Sequence, residues 1–321
     1  MIKKWETYID KKGLIVAINE TYRPEHRVQY GDTLQRCGMW FLFSSYLYRL
    51  DKDFCEQYLQ DNFQIMHGWE SRDVTNSWNA ICFRFYKMYQ TCYYNEKTKE
   101  QTRYPIRHPS YEFFGPGKTS RDQMMSNLWA LLLIASSDTQ DTERQRWAGI
   151  ELMNLWKKLK QDWFVLPAND ILAPEHLSVF WRFFYYKGDW IERVVYKPLI
   201  WLGDLHSVLS TLVKIRHAKK YYFHTDDPNR ICMLMGANIH SPTFLSKLSI
   251  KLYLKYRPSY FPKGEHYHGK PNSDFDKDPD GIGAMYAMKY YSEGQEAPWD
   301  DFFEPIAIDM YMKVVMQNEN I

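Results

Sequence analysis

The sequence predicts an all-α protein whose helical hairpins form a ring, an (α/α) toroid, and two observations predict it. First, apolar residues lie on nearly every side of the helices predicted at 33–50 and at 122–137, which is typical of buried helices. Second, an amphipathic helix follows each of them, at 51–66 and at 150–163. A ring of hairpins requires this alternation of inner and outer helices, and an irregular helical bundle is the alternative fold.

The remaining pattern is also helical. Further helices are predicted at 73–92, 175–186, 200–217, 242–256, 282–292 and 302–316, whereas strand-like runs such as VVY are few and short. In the amphipathic helix at 150–163, the apolar stripe expected to face inward consists of Ile150, Met153, Leu155, Trp156 and Leu159. We predict one helical domain over residues 1–321.

Composition excludes several classes of function. The net charge of +2 comes from 41 basic and 39 acidic residues, so no general electrostatic attraction favours nucleic acid as a partner. The longest apolar run, LWALLLIA, is too short to span a bilayer, and the five cysteines form no CxxC pair. We therefore expect a cytoplasmic protein with reduced thiols and no membrane contact.

The two inner helices begin with similar polar residues. Asp32 with Gln35, and Ser120 with Gln123, have the capping-box spacing that satisfies free N–H groups at a helix start. Capping does not explain Arg36 and Arg121, because the helix dipole disfavours a cation at this end. The charged side chains therefore suggest a second role beside capping, which is the presentation of charges to a ligand.

The loop between Arg103 and Gln123 is rich in groups that bind anions. Arginine offers a planar fork for carboxylate or phosphate, and histidine exchanges a proton near neutral pH. Polar and aromatic loops of this kind are commonly binding loops, although a solvated loop with internal ion pairs is the alternative. The loop predicts an anionic ligand, such as a uronic acid or a phosphate, bound by residues that include Arg107, His108, Arg121 and Asp122.

Over most of its length this pattern resembles the helical-toroid glycosidases and polysaccharide lyases, whose inner helices begin around a cleft lined with acids, Arg, His and aromatics. The resemblance implies a carbohydrate-active enzyme, a glycoside hydrolase that acts on an anionic oligosaccharide. Asp32 and Asp122 are then the expected pair of catalytic carboxyl groups, and His108 is the alternative proton carrier. The expected substrate-binding residues are Arg36, Arg107, Arg121, Gln123 and Asp204.

Two alternatives stay open for this site. A lyase would need a base at the sugar C5 and an arginine that neutralises the carboxylate, and His108 and Arg107 could supply them. Asp204 opens another apolar helix and could either line the same cleft or cap that helix.

The stretch DFDKDPDG suggests a metal. Asp276, Asp278 and Asp280 place three carboxylates around a sharp glycine turn, as a calcium loop does, but position twelve of the motif is Ala287 rather than an acid. A solvated acidic turn is the alternative. Calcium is therefore the single cofactor that the sequence suggests.

A function of another class also fits the composition. The chain holds 12 Trp, 25 Tyr and 18 Phe, and aromatic side chains bind partner surfaces as readily as sugars. The alternative to an enzyme is a non-catalytic structural or interaction protein, for example from a virus or bacteriophage particle.

Overall fold

The computed structural model describes residues 77–95, 98–107, 118–137, 142–221 and 240–256, with shorter pieces at 17–18, 28–29, within 34–48 and within 233–238. Helix accounts for 75% of this part of the chain, which confirms the all-α class. The helices are α1 (Ser77–Thr91), α2 (Arg121–Ala135), α3 (Thr142–Gln161), α4 (Pro174–Lys187), α5 (Trp190–Tyr221) and α6 (Phe244–Tyr256).

Strands are short and pair locally. The antiparallel pairs are β1 (Ala17–Ile18) with β2 (Val28–Gln29), and β3 (Tyr94–Asn95) with β4 (Glu100–Gln101). The second pair closes a hairpin just after α1, and the chain then runs through residues 102–107 toward the start of α2. These strands redirect the chain and add no sheet layer to the core.

Helix α2 lies at the centre of the described part of the chain. Every residue from 123 to 135 is buried, which confirms the prediction of a helix covered on all sides. It packs against α3 and α4, and helical residues of the 34–48 segment cover another side. The segment contributes the buried side chains Leu34, Cys37, Phe41 and Leu42.

Helix α3 is amphipathic, as predicted, but its buried stripe differs from the predicted one. Leu155 and Leu159 are buried, whereas Ile150 is 51% exposed and Met153 and Trp156 are only partly buried. Ala148, Glu151 and Leu152 complete the buried stripe. The buried face of α3 is therefore turned about the helix axis, by about one residue position, from the predicted face. The prediction for Ile150 was wrong because an apolar residue beside the stripe resembles a member of it.

Aromatic side chains join α1 to its neighbours. The Phe41 ring lies 5.2 Å from Phe85 and 5.8 Å from Trp78, and Phe85 stacks on Tyr89 at 5.5 Å. Ring pairs at these separations add to the stability that burial provides. Much of the aromatic content of the described part of the chain is therefore core.

Helices α4, α5 and α6 pack in succession, with α5 between the other two. Helix α5 begins at Trp190 rather than at the predicted residue 200, and Pro198 lies inside it. The strand-like run VVY is part of this helix. A proline inside a helix removes one backbone hydrogen bond, and the helix nevertheless continues through Pro198. No helix in the described ranges is both long enough and apolar enough to cross a bilayer.

Candidate functional site

Three chain segments meet at the start of α2. The backbone N–H of Leu34 donates to the carbonyl of Arg107 at 3.1 Å. The carbonyl of Leu34 accepts a hydrogen bond from Asn127 Nδ2 at 2.6 Å, and Ser126 Oγ donates to the Gln35 carbonyl at 2.9 Å. The start of the 34–48 segment therefore lies between the 98–107 segment and the first turns of α2.

The residues just before α2 are fixed to the same place. The Thr119 hydroxyl is buried and donates to the carbonyl of Pro105, and the Thr119 carbonyl accepts the N–H of Ala168 at 3.0 Å. The amide oxygen of Gln123 accepts the N–H of Ser120 at 3.2 Å. The capping contact predicted from the Ser120–Gln123 spacing is present, and it uses an amide that is only 4% exposed.

An acid from a distant loop completes this helix start. Asp170, in the loop between α3 and α4, accepts the backbone N–H of Arg121 through Oδ2 at 2.9 Å. A carboxylate at the N-terminus of a helix is stabilised by the free N–H groups and by the helix dipole. The sequence offered no signal for Asp170, because it lies 49 residues along the chain from its partner.

The predicted site residues fall into three groups. Arg107 and Arg121 are half-buried at the meeting point, and Gln123 is buried there. Asp204 is buried elsewhere, between α4 and α5. Asp32, Arg36, His108, the side chain of Asp122, and the predicted calcium ligands Asp276, Asp278 and Asp280 lie outside the described residues. Within the described residues, no group of three or more metal-ligating side chains is close enough to hold an ion.

Asp204 is held by contacts within the fold. Its two carboxylate oxygens lie 2.8 and 2.9 Å from Arg182 Nη2, and Oδ2 also accepts the Thr243 hydroxyl at 2.6 Å. The residue is 2% exposed. It therefore connects α4, α5 and the start of α6.

The loop between α3 and α4 presents a tryptophan beside the meeting point. Trp163 is 85% exposed and has φ 53°, and the next residue, Phe164, has φ 60°. Non-glycine residues in the left-handed region are strained, and such residues cluster at functional sites. Asp162 holds this turn, since its two oxygens bind Arg103 at 3.0 Å and the Tyr104 hydroxyl at 2.8 Å.

The Tyr104 phenol is held in its neutral form by burial and by the Asp162 carboxylate. Burial raises the pKa of Tyr104, and the Asp162 carboxylate, which accepts its hydrogen bond, raises that pKa further. The phenol therefore stays protonated and keeps donating to Asp162. This contact ties the 98–107 segment to the turn that presents Trp163.

A second buried carboxylate lies further along α3. Glu151 is 8% exposed and accepts hydrogen bonds from the hydroxyls of Tyr89 and Tyr93. Burial raises the pKa of both phenols well above the usual value, and the nearby Glu151 charge adds to the effect. Both tyrosines donate to one carboxylate and are fixed in the neutral form.

A cluster of titratable groups lies where α4 meets α5. Glu175 Oε2 is 3.5 Å from Nδ1 of His206, and Oε1 is 3.8 Å from Nε2 of His176. His176 Nδ1 accepts the N–H of Ala173 at 2.9 Å, so any hydrogen on a neutral His176 ring is on Nε2, toward Glu175. His176 is buried, whereas the His206 side chain is 40% exposed.

A groove of about 560 Å³ runs between α3 and α4. Its cations are Arg146, Lys157 and Lys187, and no acidic side chain is among the described residues that line it. The floor includes Met153 and Phe183, which add apolar surface. Sequence reasoning missed this groove because its residues come from separate helices and show a pattern only when the helices pack.

No protein-family model matches this chain, and no curated protein or solved structure matches it either.

Proposed function

We propose that the protein is a carbohydrate-active enzyme, a glycoside hydrolase, that acts on an anionic oligosaccharide where the 34–48 segment, the 98–107 segment and the start of α2 meet. One observation carries the proposal. The backbone of Leu34 is bonded to both Arg107 and Asn127, so these three segments are in direct contact. Asp32, Arg36, His108 and Asp122 are near or immediate chain neighbours of the described residues at this contact.

The chemistry follows from two carboxyl groups on opposite sides of a glycosidic bond. In the proposed mechanism one of Asp32 and Asp122 protonates the leaving oxygen, and the other acts as nucleophile or as base toward water. Arg36, Arg107 and Arg121 would bind the acidic groups of the substrate. In a ring of helical hairpins, the proposed toroid, these helix starts would share one mouth.

The exposed Trp163 supports a saccharide ligand. An exposed indole offers an apolar face on which a sugar ring can stack. Without such a ligand, the exposed indole does not contribute the stabilisation that burial of an apolar side chain provides. Its turn is held by Asp162 to Arg103 and Tyr104, and the same loop supplies Asp170 to the start of α2. We include Trp163 in the proposed substrate-binding surface.

The test is an activity assay on uronate-containing oligosaccharides, with neutral oligosaccharides in parallel. Hydrolysis releases reducing ends without a new double bond, whereas the lyase alternative gives an unsaturated product that absorbs in the ultraviolet. We expect reducing ends from anionic substrates, and loss of turnover in Asp32→Asn and Asp122→Asn. An asparagine at a helix start still caps, so the fold is retained.

Glu143→Gln is the matched control, because Glu143 is an exposed acid on α3 that pairs only with its neighbour Arg144 among the contacts seen. It should keep full activity. If the wild-type protein gives the unsaturated product and His108→Gln does not, the protein is a lyase rather than a hydrolase. Activity that survives in Asp122→Asn, or no turnover of any anionic or neutral substrate, would contradict the enzyme.

The second candidate is a non-catalytic interaction protein. A specific observation favours it, since one side of α5 carries a continuous set of exposed apolar residues. Such faces mark interaction surfaces. An interaction surface and a catalytic site can also belong to one protein.

A further inference from the structure

Helix α5 has a buried face of mixed polarity and an exposed apolar face. Ile200, Val208 and Thr211 lie on the buried one, with Gly203, Asp204 and Ser207, against α4 and α6. The other face is exposed. The apolar stripe on it consists of Ile191, Val195, Pro198, Leu202, Leu205, Leu209 and Leu212, and the exposed side chains of Trp190, Val194, Trp201 and Val213 flank this stripe.

The stripe has the period of a coiled coil. Successive members of the stripe are separated by 4, 3, 4, 3, 4 and 3 residues. Pro198 is exposed, and the other six members are each between 43% and 54% exposed. A strict seven-residue repeat keeps one seam toward a partner helix over its whole length. Core-facing stripes of single helices follow the 3.6-residue period instead. The pattern therefore indicates a long helix as the partner.

The length of the stripe restricts the partner further. It runs from residue 191 to 212, which is roughly 32 Å at 1.5 Å per residue. The helices predicted at 282–292 and 302–316 are each shorter than this stripe. A second α5 has both the matching length and the matching repeat.

Charge determines the direction of the pair. Residues 189–197 hold two acids and two cations, whereas residues 214–220 hold four cations and no acid. A parallel pair would place the four cations of each helix beside those of the other. An antiparallel pair keeps the two basic ends apart, brings the first of these cations, Lys214, to the level of Asp189 of the other copy, and also opposes the two helix dipoles.

We propose that two copies of this chain pack α5 against α5, antiparallel, along the stripe from Ile191 to Leu212. Ile191 of one copy meets Leu212 of the other, Pro198 meets Leu205, and Leu202 lies next to its own counterpart at the two-fold axis. Such an interface is isologous, because the same surface contributes from both copies. The inference is independent of the proposed enzymatic function.

The oligomeric state tests the proposal. In sedimentation equilibrium over a concentration series, the full chain should be a dimer, and Leu205→Glu should raise the dimer Kd by about thirtyfold or more. Phe244→Glu is the control, since Phe244 is 71% exposed on α6 and lies off the stripe, and it should leave the Kd unchanged. Circular dichroism confirms that each variant keeps its helices. A wild-type chain that stays monomeric at all concentrations would overturn the proposal, and this includes a monomer whose own residues cover the stripe. A Leu205→Glu protein that dimerises with an unchanged Kd would also overturn it.

Cysteine cross-linking tests the direction separately. Leu202→Cys should form a disulfide-linked dimer under mild oxidation, whereas Ile191→Cys alone should not, and the wild-type chain controls for native cysteines. A combination of Ile191→Cys and Leu212→Cys chains should cross-link. Efficient cross-linking of Ile191→Cys with itself would show a parallel pair and overturn the antiparallel arrangement.

Discussion

Arg182 on α4 and Asp204 on α5 form a buried ion pair, in which Nη2 of the arginine lies 2.8 and 2.9 Å from the two carboxylate oxygens. The other guanidinium nitrogens are also used, since Nη1 donates to Ser178 at 2.9 Å and Nε donates to Ser241 at 3.1 Å. The guanidinium lies 5.6 Å from the ring of Trp129 on α2. One side chain thus connects α2, α4, α5 and the residues before α6.

Removal of this ion pair should destabilise the protein. Asp204→Asn leaves the Arg182 charge buried without a counter-ion, so we expect the free energy of unfolding to fall by about 3 kcal/mol. Urea unfolding followed by circular dichroism measures it. The control is Arg103→Ala, because the Arg103–Asp162 pair has side chains 51% and 32% exposed and should contribute about 1 kcal/mol or less. An Asp204→Asn protein of normal stability that has lost ligand binding would make Asp204 a binding residue.

Two glycines should respond in opposite ways to alanine. A Cβ on Gly38 would lie 2.5 Å from the backbone N of Asn127 on α2, so Gly38→Ala should cost about 1–3 kcal/mol of stability by forcing the 34–48 segment from α2. A Cβ on Gly149 would meet only the Phe183 ring, at 3.8 Å, so Gly149→Ala should stabilise α3 by up to about 1 kcal/mol. Thermal unfolding of both variants measures the difference. A Gly38→Ala protein as stable as the wild type would contradict the close approach.

Alkaline pH should weaken the contacts around Glu151. The folded state raises the pKa of Tyr89, so the stability from its neutral phenol is complete below the unfolded value of about 10 and declines as pH rises above it. Tyr89→Phe should therefore be less stable than the wild type at pH 8, by about 1 kcal/mol for the lost hydrogen bond. This deficit should shrink as the pH approaches 11. Urea unfolding across this range measures it.

Tyr94→Phe is the control for this series, because Tyr94 is 38% exposed on β3. Its difference from the wild type should stay small and independent of pH. A Tyr89→Phe deficit that is constant up to pH 11 would contradict the linkage of this phenol to folding.

The groove between α3 and α4 shares no described lining residue with the proposed site at the start of α2, and its cations should attract an anionic saccharide independently of that site. Lys157→Glu combined with Lys187→Glu should weaken the binding of tri-galacturonate by about tenfold at low salt, with a smaller effect at high salt because exposed charges are screened. Calorimetric titration measures the affinity, and neutral maltotriose controls for charge. Lys99→Glu combined with Lys247→Glu is the matched charge control, because both lysines are exposed and neither lines the groove. Equal losses in both proteins would show a general charge effect rather than a site.

Truncation of the exposed tryptophan tests the saccharide surface. Trp163→Ala removes a side chain that is 85% exposed, so it should leave stability unchanged or slightly improved while weakening binding of a uronate oligosaccharide by about tenfold. Fluorescence titration measures the affinity, and a Trp163→Phe protein separates ring stacking from side-chain size. The smaller phenyl ring can still stack on a sugar, so Trp163→Phe should retain part of the affinity that Trp163→Ala loses. Full affinity in Trp163→Ala would remove the tryptophan from the binding surface.

The sequence alone predicted the elements whose signals are local. Residues 123–135 are buried on every side, as the apolar residues on nearly all sides of the predicted helix indicated, and the Ser120–Gln123 cap forms at the predicted spacing. Helix periodicity and capping depend on residues three or four apart, so one short stretch contains the whole pattern. The same reasoning failed at Ile150 and at the start of α5, where neighbouring helices decide which side is covered and whether Pro198 is tolerated.

Only the tertiary structure decided which distant residues become partners. Asp170 binds the first N–H of α2 across 49 residues, and Arg182 pairs with Asp204 across 22. The contact of Leu34 with Arg107 and Asn127 is of the same kind, since no periodic pattern links these positions. Each such pair forms because packing brings two segments together, and a chain read from one end to the other contains no local signal of that approach.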